Sequence, residues 1–298
     1  MRAFTVAAIQ VAPQPGPVTV ESVQSNMDKC ASLVEHCVEA TGAELVVLPE
    51  TASTGFTTGV GAAELWELMD AVPGQVTLAL QRVAARLGVH LVFGTYERGA
   101  EPGTIHNTAA LVDPTGALLG AYRKTHLFAG ESVAHGGWVT PGDGVTVVRT
   151  ELGSIGLMIC FDGDYPELAR ITAIRGAEVI CRPSALLRSA DIWELTNRAR
   201  AYDNHVFVVG ANATGVDPGG NVYFGNSMIV TPVAEVIARA ASHEGWVSAR
   251  LDPETALRSL SPGSSVPQRF DHLADRNLDF IRGHLDELAA PAKTPFPH

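Results

Sequence analysis

Short apolar runs that stop abruptly alternate along this chain with stretches of helical periodicity, and this alternation limits the fold more than any other feature. "FTVAAIQVA" reads as a strand, followed by a helix over about 20–40. "AELVVLPE" is short and continuously apolar, the pattern of a strand covered on both faces. "GQVTLALQRVAARLG" reads as a helix closed by Gly88. "VHLVFGTYER" is a strand, and "IHNTAALVDPTGALLGAYRK" a hairpin turning at Asp113-Pro114-Thr115-Gly116. "GVTVVRT" and "SIGLMIC" are strands, and "PELARITAIRG" a helix with Pro166 in its first turn. The second half repeats the scheme. "AEVICRPS", "HVFVVGAN" and "GWVSARL" are strands, "ADIWELTNRARAYDN" a helix and "YFGNSMIVTPVAEVIARA" a second hairpin. The hairpins argue against a fully parallel barrel. They predict an α/β fold with a mixed sheet, or two mixed sheets with helices outside.

No linker and no short repeat divides the chain. Residues 1–262 are expected to form one domain. Residues 263–298, irregular and proline-bearing with a short helix near "LDFIRGHLDEL", are expected to form a tail packed on that domain or on a partner subunit.

With 298 residues the chain can bury a large core. Its formal net charge of −11 argues against nucleic acid, which needs a basic face. No apolar run approaches the roughly 20 residues that span a bilayer. The opening "MRAFTVAAIQVAP" goes straight into a strand and lacks the segments of a signal peptide, so a cytoplasmic protein is expected. Four cysteines do not make a disulfide framework in a chain of this length. Cys30 and Cys37 share helical spacing with Val23, Met27 and Val34, so both thiols are expected on a buried helix face, which suits a reducing compartment.

Metal and cofactor motifs are missing. The ten histidines are scattered, with no HExxH and no paired Cys-x-x-Cys, so no metal site is expected. There is no P-loop, no GxGxxG and no G-x-S-x-G elbow. What remains is polar groups at strand ends, where sites form in open α/β sheets. Glu50 follows "AELVVLP", Lys124 follows "GALLGAYR" and Cys160 follows "SIGLMI". Taken singly, each has a plain structural reading: a solvated acid, a solvated lysine, a small core thiol. Together they form a complete set for acyl transfer, with a nucleophile, a base and a cation for the oxyanion. The acids of "GLMICFDGDYPE" complicate that reading, because negative neighbours disfavour a thiolate.

"LVVLPETASTGF", "YRKTHLF" and "IGLMICFDGDYPELAR", in this order, resemble the three signature segments of the nitrilase superfamily of carbon–nitrogen hydrolases, and the resemblance reaches to about Leu251. It implies a four-layer αββα sandwich with two mixed sheets and outer helices. It also implies a Glu-Lys-Cys triad at Glu50, Lys124 and Cys160, no cofactor, and assembly into a homodimer or larger homo-oligomer through helices near the nucleophile. Many members carry a second glutamate after the lysine. In "KTHLFAGESVAHGGWVTPGD", Glu131 fits that place when counted from Lys124, whereas His135 or Gly136 fits when counted back from Pro141. Glu131 is the preferred candidate, because a carboxylate suits the role.

The residues after Cys160 resemble the aliphatic amidase and formamidase branch more than nitrilases or N-carbamoyl amino-acid hydrolases, as does "ANATGVDPGGNVYFGNSMIV". The expected activity is hydrolysis of a small non-peptide carboxamide to an acid and ammonia through a cysteine thioester. The alternatives are an N-carbamoyl amine or amino-acid amidohydrolase, a nitrilase, or a catalytically silent scaffold. Phe161, Tyr165, Trp138 and Arg182 are candidates for contact with substrate, with Tyr223 as a further pocket wall and the loops at Phe56 and Leu187 shaping the entrance. Arg182 has a second reading as a partner of Asp162 or Asp164. Asp164 is a candidate cap for the helix that Pro166 opens.

Overall fold

In the computed structural model, which describes residues 1–254 and 271–291, period-two alternation decides where each side chain of β1 (Phe4–Gln10) goes. Phe4, Val6 and Ala8 enter a core shared with an opposing sheet, while Ala7 and Ile9 enter a second core beneath helices. The first sheet has the order β14 (Gly245–Leu251), β1, β2 (Leu45–Val47), β3 (His90–Arg98), β4 (Ile105–Val112), β5 (Leu118–Arg123). Strands β1 to β3 run parallel and the others antiparallel. The second sheet has the order β13 (Val236–Arg239), β12 (Met228–Val230), β9 (Phe207–Asn212), β8 (Val179–Ser184), β7 (Ser154–Leu157), β6 (Val147–Arg149). Its centre, β7 to β9, is parallel. A small hairpin, β10 (Thr214–Val216) and β11 (Val222–Phe224), stands apart.

Helices cover both outer faces. On the first sheet lie α1 (Val20–Thr41) and α3 (Gln75–Leu87), with the short α2 (Ala62–Leu68) over a satellite cluster. Thr19 caps α1, its hydroxyl accepting from the Ser22 N–H while Ser22 Oγ accepts from the Thr19 N–H. Gly42 ends the helix in the left-handed conformation. Val23, Met27, Cys30, Val34 and Cys37 form its buried stripe. Burial pushes the Cys30 thiol up to about 12 and that of Cys37 up to about 11, as inert core thiols. On the second sheet lie α4 (Pro166–Ile174) and α5 (Ala190–Asn204), which contribute Leu168, Ala169, Ala173, Trp193 and Ala201 to the main core. The result is an αββα sandwich with two mixed sheets.

The boundary expected at 262/263 lies outside the described residues. Of the stretch beyond it, His272 and Leu273 touch the main body, whereas most of 277–291 is exposed. The His272 ring nitrogen donates to the Tyr202 carbonyl, Arg170 donates to the His272 carbonyl, and Leu273 meets the main core. The helix read near "LDFIRGHLDEL" is two short helices, Leu278–Gly283 and Leu285–Ala289, broken at His284. Among the described residues no helix is long and apolar enough to cross a membrane.

Candidate active site

The residues that follow β2, β5, β7 and β8 meet around one buried cluster. Glu50 sits three residues past β2, in a turn that runs across β3. A Cβ on Gly94 would lie 2.6 Å from the Glu50 Cα, so a glycine is needed for the approach. The Glu50 carboxylate is fully enclosed. Oε1 accepts from Lys124 Nζ at 2.9 Å and from Asn107 Nδ2 at 2.7 Å, and Oε2 accepts from the Ala185 N–H at 2.7 Å. Ala185 follows β8, so this last bond ties one sheet to the other.

Lys124 immediately follows β5 and points its ammonium between two carboxylates, those of Glu50 and Glu131. Burial alone would lower its pKa, but Glu131 and Glu50 together raise it well above the ordinary lysine value. The ammonium is therefore a fixed positive charge.

Glu131 arrives on the loop after β5. Its Oε2 also accepts from the Phe128 N–H at 3.1 Å, and its Oε1 accepts from Asn107 Nδ2 at 3.0 Å. Burial raises its pKa, Lys124 opposes the rise and Glu50 adds to it. His135, the other candidate for this place, lies on an exposed 3-10 turn, Val133–His135.

Cys160 comes three residues after β7, at φ 44°, and opens a 3-10 turn, Cys160–Asp164. This left-handed conformation is uncommon outside glycine, and two neighbours hold it. The Arg182 guanidinium grips the Cys160 carbonyl through Nε at 2.8 Å and through Nη2. Buried Asp162 accepts from the Ile159 N–H at 2.9 Å, the Tyr122 hydroxyl at 2.8 Å and the His126 N–H at 3.0 Å. Asp162 thus pins the turn. Burial first and Glu50 second push the Cys160 thiol far up, while Lys124 and Arg182 act in the opposite sense, so the thiol rests neutral.

A cavity of about 340 Å³ opens on this cluster. Cys160 and Lys124 line its buried end, Phe56, Phe128 and Phe161 its walls, and Leu187 and Arg188, both exposed, its rim. Among the described residues no three His, Cys, Asp or Glu side chains group so as to hold a metal ion.

Three of the four expected substrate contacts lie elsewhere. Trp138 does not border the cavity. The chain folds back after Glu131, with the Trp138 N–H donating to the Glu131 carbonyl, and the indole packs edge-on to Tyr96 at 6.2 Å, in the cluster beneath α2. Arg182 is completely buried behind the nucleophile turn. Besides the Cys160 carbonyl it holds Thr196 and Asn197 of α5, each at 2.9 Å, and burial brings its pKa down to about 10. Gly163 makes room for it, since a Cβ there would stand 2.1 Å from the guanidinium carbon. Tyr165 lies one ring back, stacked on His126 at 4.0 Å and edge-on to Phe161 at 5.3 Å. Only Phe161 faces the cavity. Tyr223 is buried and gives its hydroxyl to Asp217. Asp164 caps nothing. The helix that Pro166 opens has no side-chain cap, and both Asp164 oxygens accept from Arg188.

Asn107, Phe128 and Arg188 were not singled out from the sequence. Asn107 carried a signal: an amide in the middle of the otherwise apolar strand "IHNTAALV", where asparagine is disfavoured unless something holds it.

Two mixed sheets between helix pairs, with an acid, a lysine and a thiol on one cavity, define an enzyme of the αββα hydrolase class. The model of the carbon–nitrogen hydrolase family matches residues 5–258, and the chain belongs to that family. The omega-amidase NIT2 of Homo sapiens is 32% identical over 260 residues, covering 85% of this chain and 90% of that protein. A nitrilase of Pyrococcus abyssi (strain GE5 / Orsay) is 35% identical over 244 residues, covering 80% and 86%. Among solved structures, a mutant of the amidase from Nesterenkonia sp. AN1 in complex with butyramide shares the fold with a TM-score of 0.77 at 24% identity, covering 94% of this chain and 96% of that one. Another structure of that amidase, with a TM-score of 0.76 at 23% identity and covering 94% and 99%, carries acrylamide added to its active-site cysteine. The chain is accordingly a hydrolase of carbon–nitrogen bonds other than peptide bonds.

Proposed function

We propose that this enzyme is an amidase that converts a small non-peptide carboxamide to a carboxylic acid and ammonia through a thioester on Cys160. One observation carries the reading: a buried ammonium, Lys124, is clamped between Glu50 and Glu131 where the cavity meets the Cys160 thiol. The omega-amidase and butyramide-binding relatives support it.

In this mechanism Glu50 takes the thiol proton as Sγ bonds to the amide carbon. Lys124 and the Phe161 N–H, which belongs to the first residues of a 3-10 turn and has no acceptor within it, hold the tetrahedral oxyanion. Glu50 returns the proton to the amide nitrogen, the C–N bond breaks and ammonia leaves. Water then gives a proton to Glu50 and attacks the thioester carbon. The acid departs and the thiol is reformed. Glu131 holds Lys124 and accepts from the amide N–H. The neutral resting thiol fits this scheme, since the base acts during attack. A cytoplasmic setting is part of the proposal, consistent with Cys30, Cys37, Cys160 and Cys181 all being unpaired.

The test is ammonia release from short amides, nitriles and N-carbamoyl compounds, with carbon dioxide measured alongside. Butyramide and its neighbours are expected to be the substrates. Ammonia with carbon dioxide from the carbamoyl set alone, or ammonia without carbon dioxide from nitriles alone, overturns the amide assignment.

Asn107 acts in this scheme as a positioning residue, since one amide nitrogen donates to both acids. Asn107→Ala is expected to lower kcat by about 10²-fold, as small misplacements at a reacting centre do. Its hydrogen bond favours the Glu131 carboxylate, so its loss raises the Glu131 pKa further and moves the acid limb of the kcat/KM profile to higher pH. An unmoved profile would make Asn107 merely structural.

A further inference from the structure

We propose that Asp164 acts as a built-in carboxylate on Arg188 and so makes the site reject amides that themselves carry a carboxylate. Arg188 is the cation at the exposed rim of the cavity, whereas Lys124 is enclosed and already shared by two glutamates. In the absence of Asp164, that guanidinium would attract a carboxylate at the far end of a substrate. Asp164 is there instead. Its Oδ1 and Oδ2 both accept from Arg188 Nη2, at 2.8 and 2.7 Å. From behind, the buried Arg182 guanidinium lies 3.8 Å from Oδ1, so the carboxylate is fixed between two cations. Arg188 in turn lies over the Phe161 ring, 5.3 Å from its centroid, against the cavity wall.

A second carboxylate arriving at Arg188 would face Asp164 across one guanidinium, and like charges so placed repel. Among the described residues, Nε and Nη1 of Arg188 have no hydrogen-bond partner. They are left to a neutral acceptor, such as a carbonyl or hydroxyl, on the substrate. With walls of Phe56, Phe128 and Phe161, the cavity then favours uncharged amides with an apolar or weakly polar end.

This inference rests on the amidase reading, and one pair of probes separates the two. Butyramide and succinamate are equally long, the second ending in a carboxylate where the first ends in a methyl group. At low ionic strength the wild-type kcat/KM is expected to favour butyramide by at least about tenfold, and Asp164→Asn to move the ratio toward succinamate by about tenfold or more. Added salt should shrink that gain, because the pair is solvent-exposed. Asp164→Asn combined with Arg188→Leu should lose it. A wild-type enzyme that prefers succinamate, a ratio that stays within about twofold in Asp164→Asn, or a gain that survives in the double variant overturns the inference while leaving the amidase reading intact. Wild-type turnover of neither probe, nor of any other amide, overturns both.

Discussion

Cys160→Ala is expected to release no ammonia above the blank from any amide the wild-type enzyme hydrolyses, a loss of about 10⁴-fold or more, while folding as well as the wild type. The two halves of this expectation have different causes. Activity vanishes because no other group at the buried end of the cavity can form the acyl intermediate: Lys124 is held as an ammonium, and Glu50 and Glu131 are its counter-ions. Stability persists because the thiol rests neutral, so its removal strands no buried charge. One small atom beside an open cavity is lost, which costs about 1 kcal/mol or less. The left-handed backbone at position 160 is held through its carbonyl by Arg182, and alanine offers the same carbonyl. An ammonia assay with a thermal melt on the same preparation decides it. Turnover above about 1% of wild type in a fully folded variant would remove Cys160 from the reaction.

The parts of this molecule that could be read in advance are those that local rules determine. "AELVVLPE", "GALLGAYRK" and "SIGLMIC" each announce where a strand stops and which reactive residue follows. Two mixed sheets then bring such ends together. The cavity rim follows different physics. Trp138 stands close to Glu131 in sequence, yet an exposed 3-10 turn reverses the chain between them and sends the indole to Tyr96. Arg182 does stand beside a neighbouring acid, Asp164, at 3.8 Å, but its shorter bonds go to the backbone carbonyl of Cys160, which no sequence pattern records. Asp164 stands one residue too early to cap the helix, since the position just before Pro166 is Tyr165. Arg188, 24 residues on, offers a charged donor that a backbone N–H does not match. Asn107 sits inside a strand pattern, where its hydrogen-bonding duty shows only once Glu50 and Glu131 are placed around it.

Lys124→Met is expected to damage the protein in two ways at once. Removing an oxyanion donor costs about 10²–10³-fold in rate. Removing the cation also leaves two enclosed carboxylates, Glu50 and Glu131, that repel each other and are held by one asparagine amide and the Ala185 and Phe128 N–H groups. Breaking a buried ion pair from one side costs about 3–5 kcal/mol. In a protein of this size that corresponds to a melting temperature lower by roughly 6–20 °C. The pH dependence follows from the direction of the Glu131 shift. Burial and Glu50 raise its folded pKa, and in the wild type only Lys124 and hydrogen bonds oppose them. Without Lys124 the folded pKa rises further above its unfolded value. Across the window between the two values the folded state binds more protons than the unfolded one, so stability falls as pH rises. The variant should therefore regain much of its lost stability as pH falls through that raised pKa, and Lys124→Met with Glu131→Gln should regain it at neutral pH. A melting temperature for Lys124→Met that stays close to wild type at pH 8 would mean that the two carboxylates do not share this ammonium.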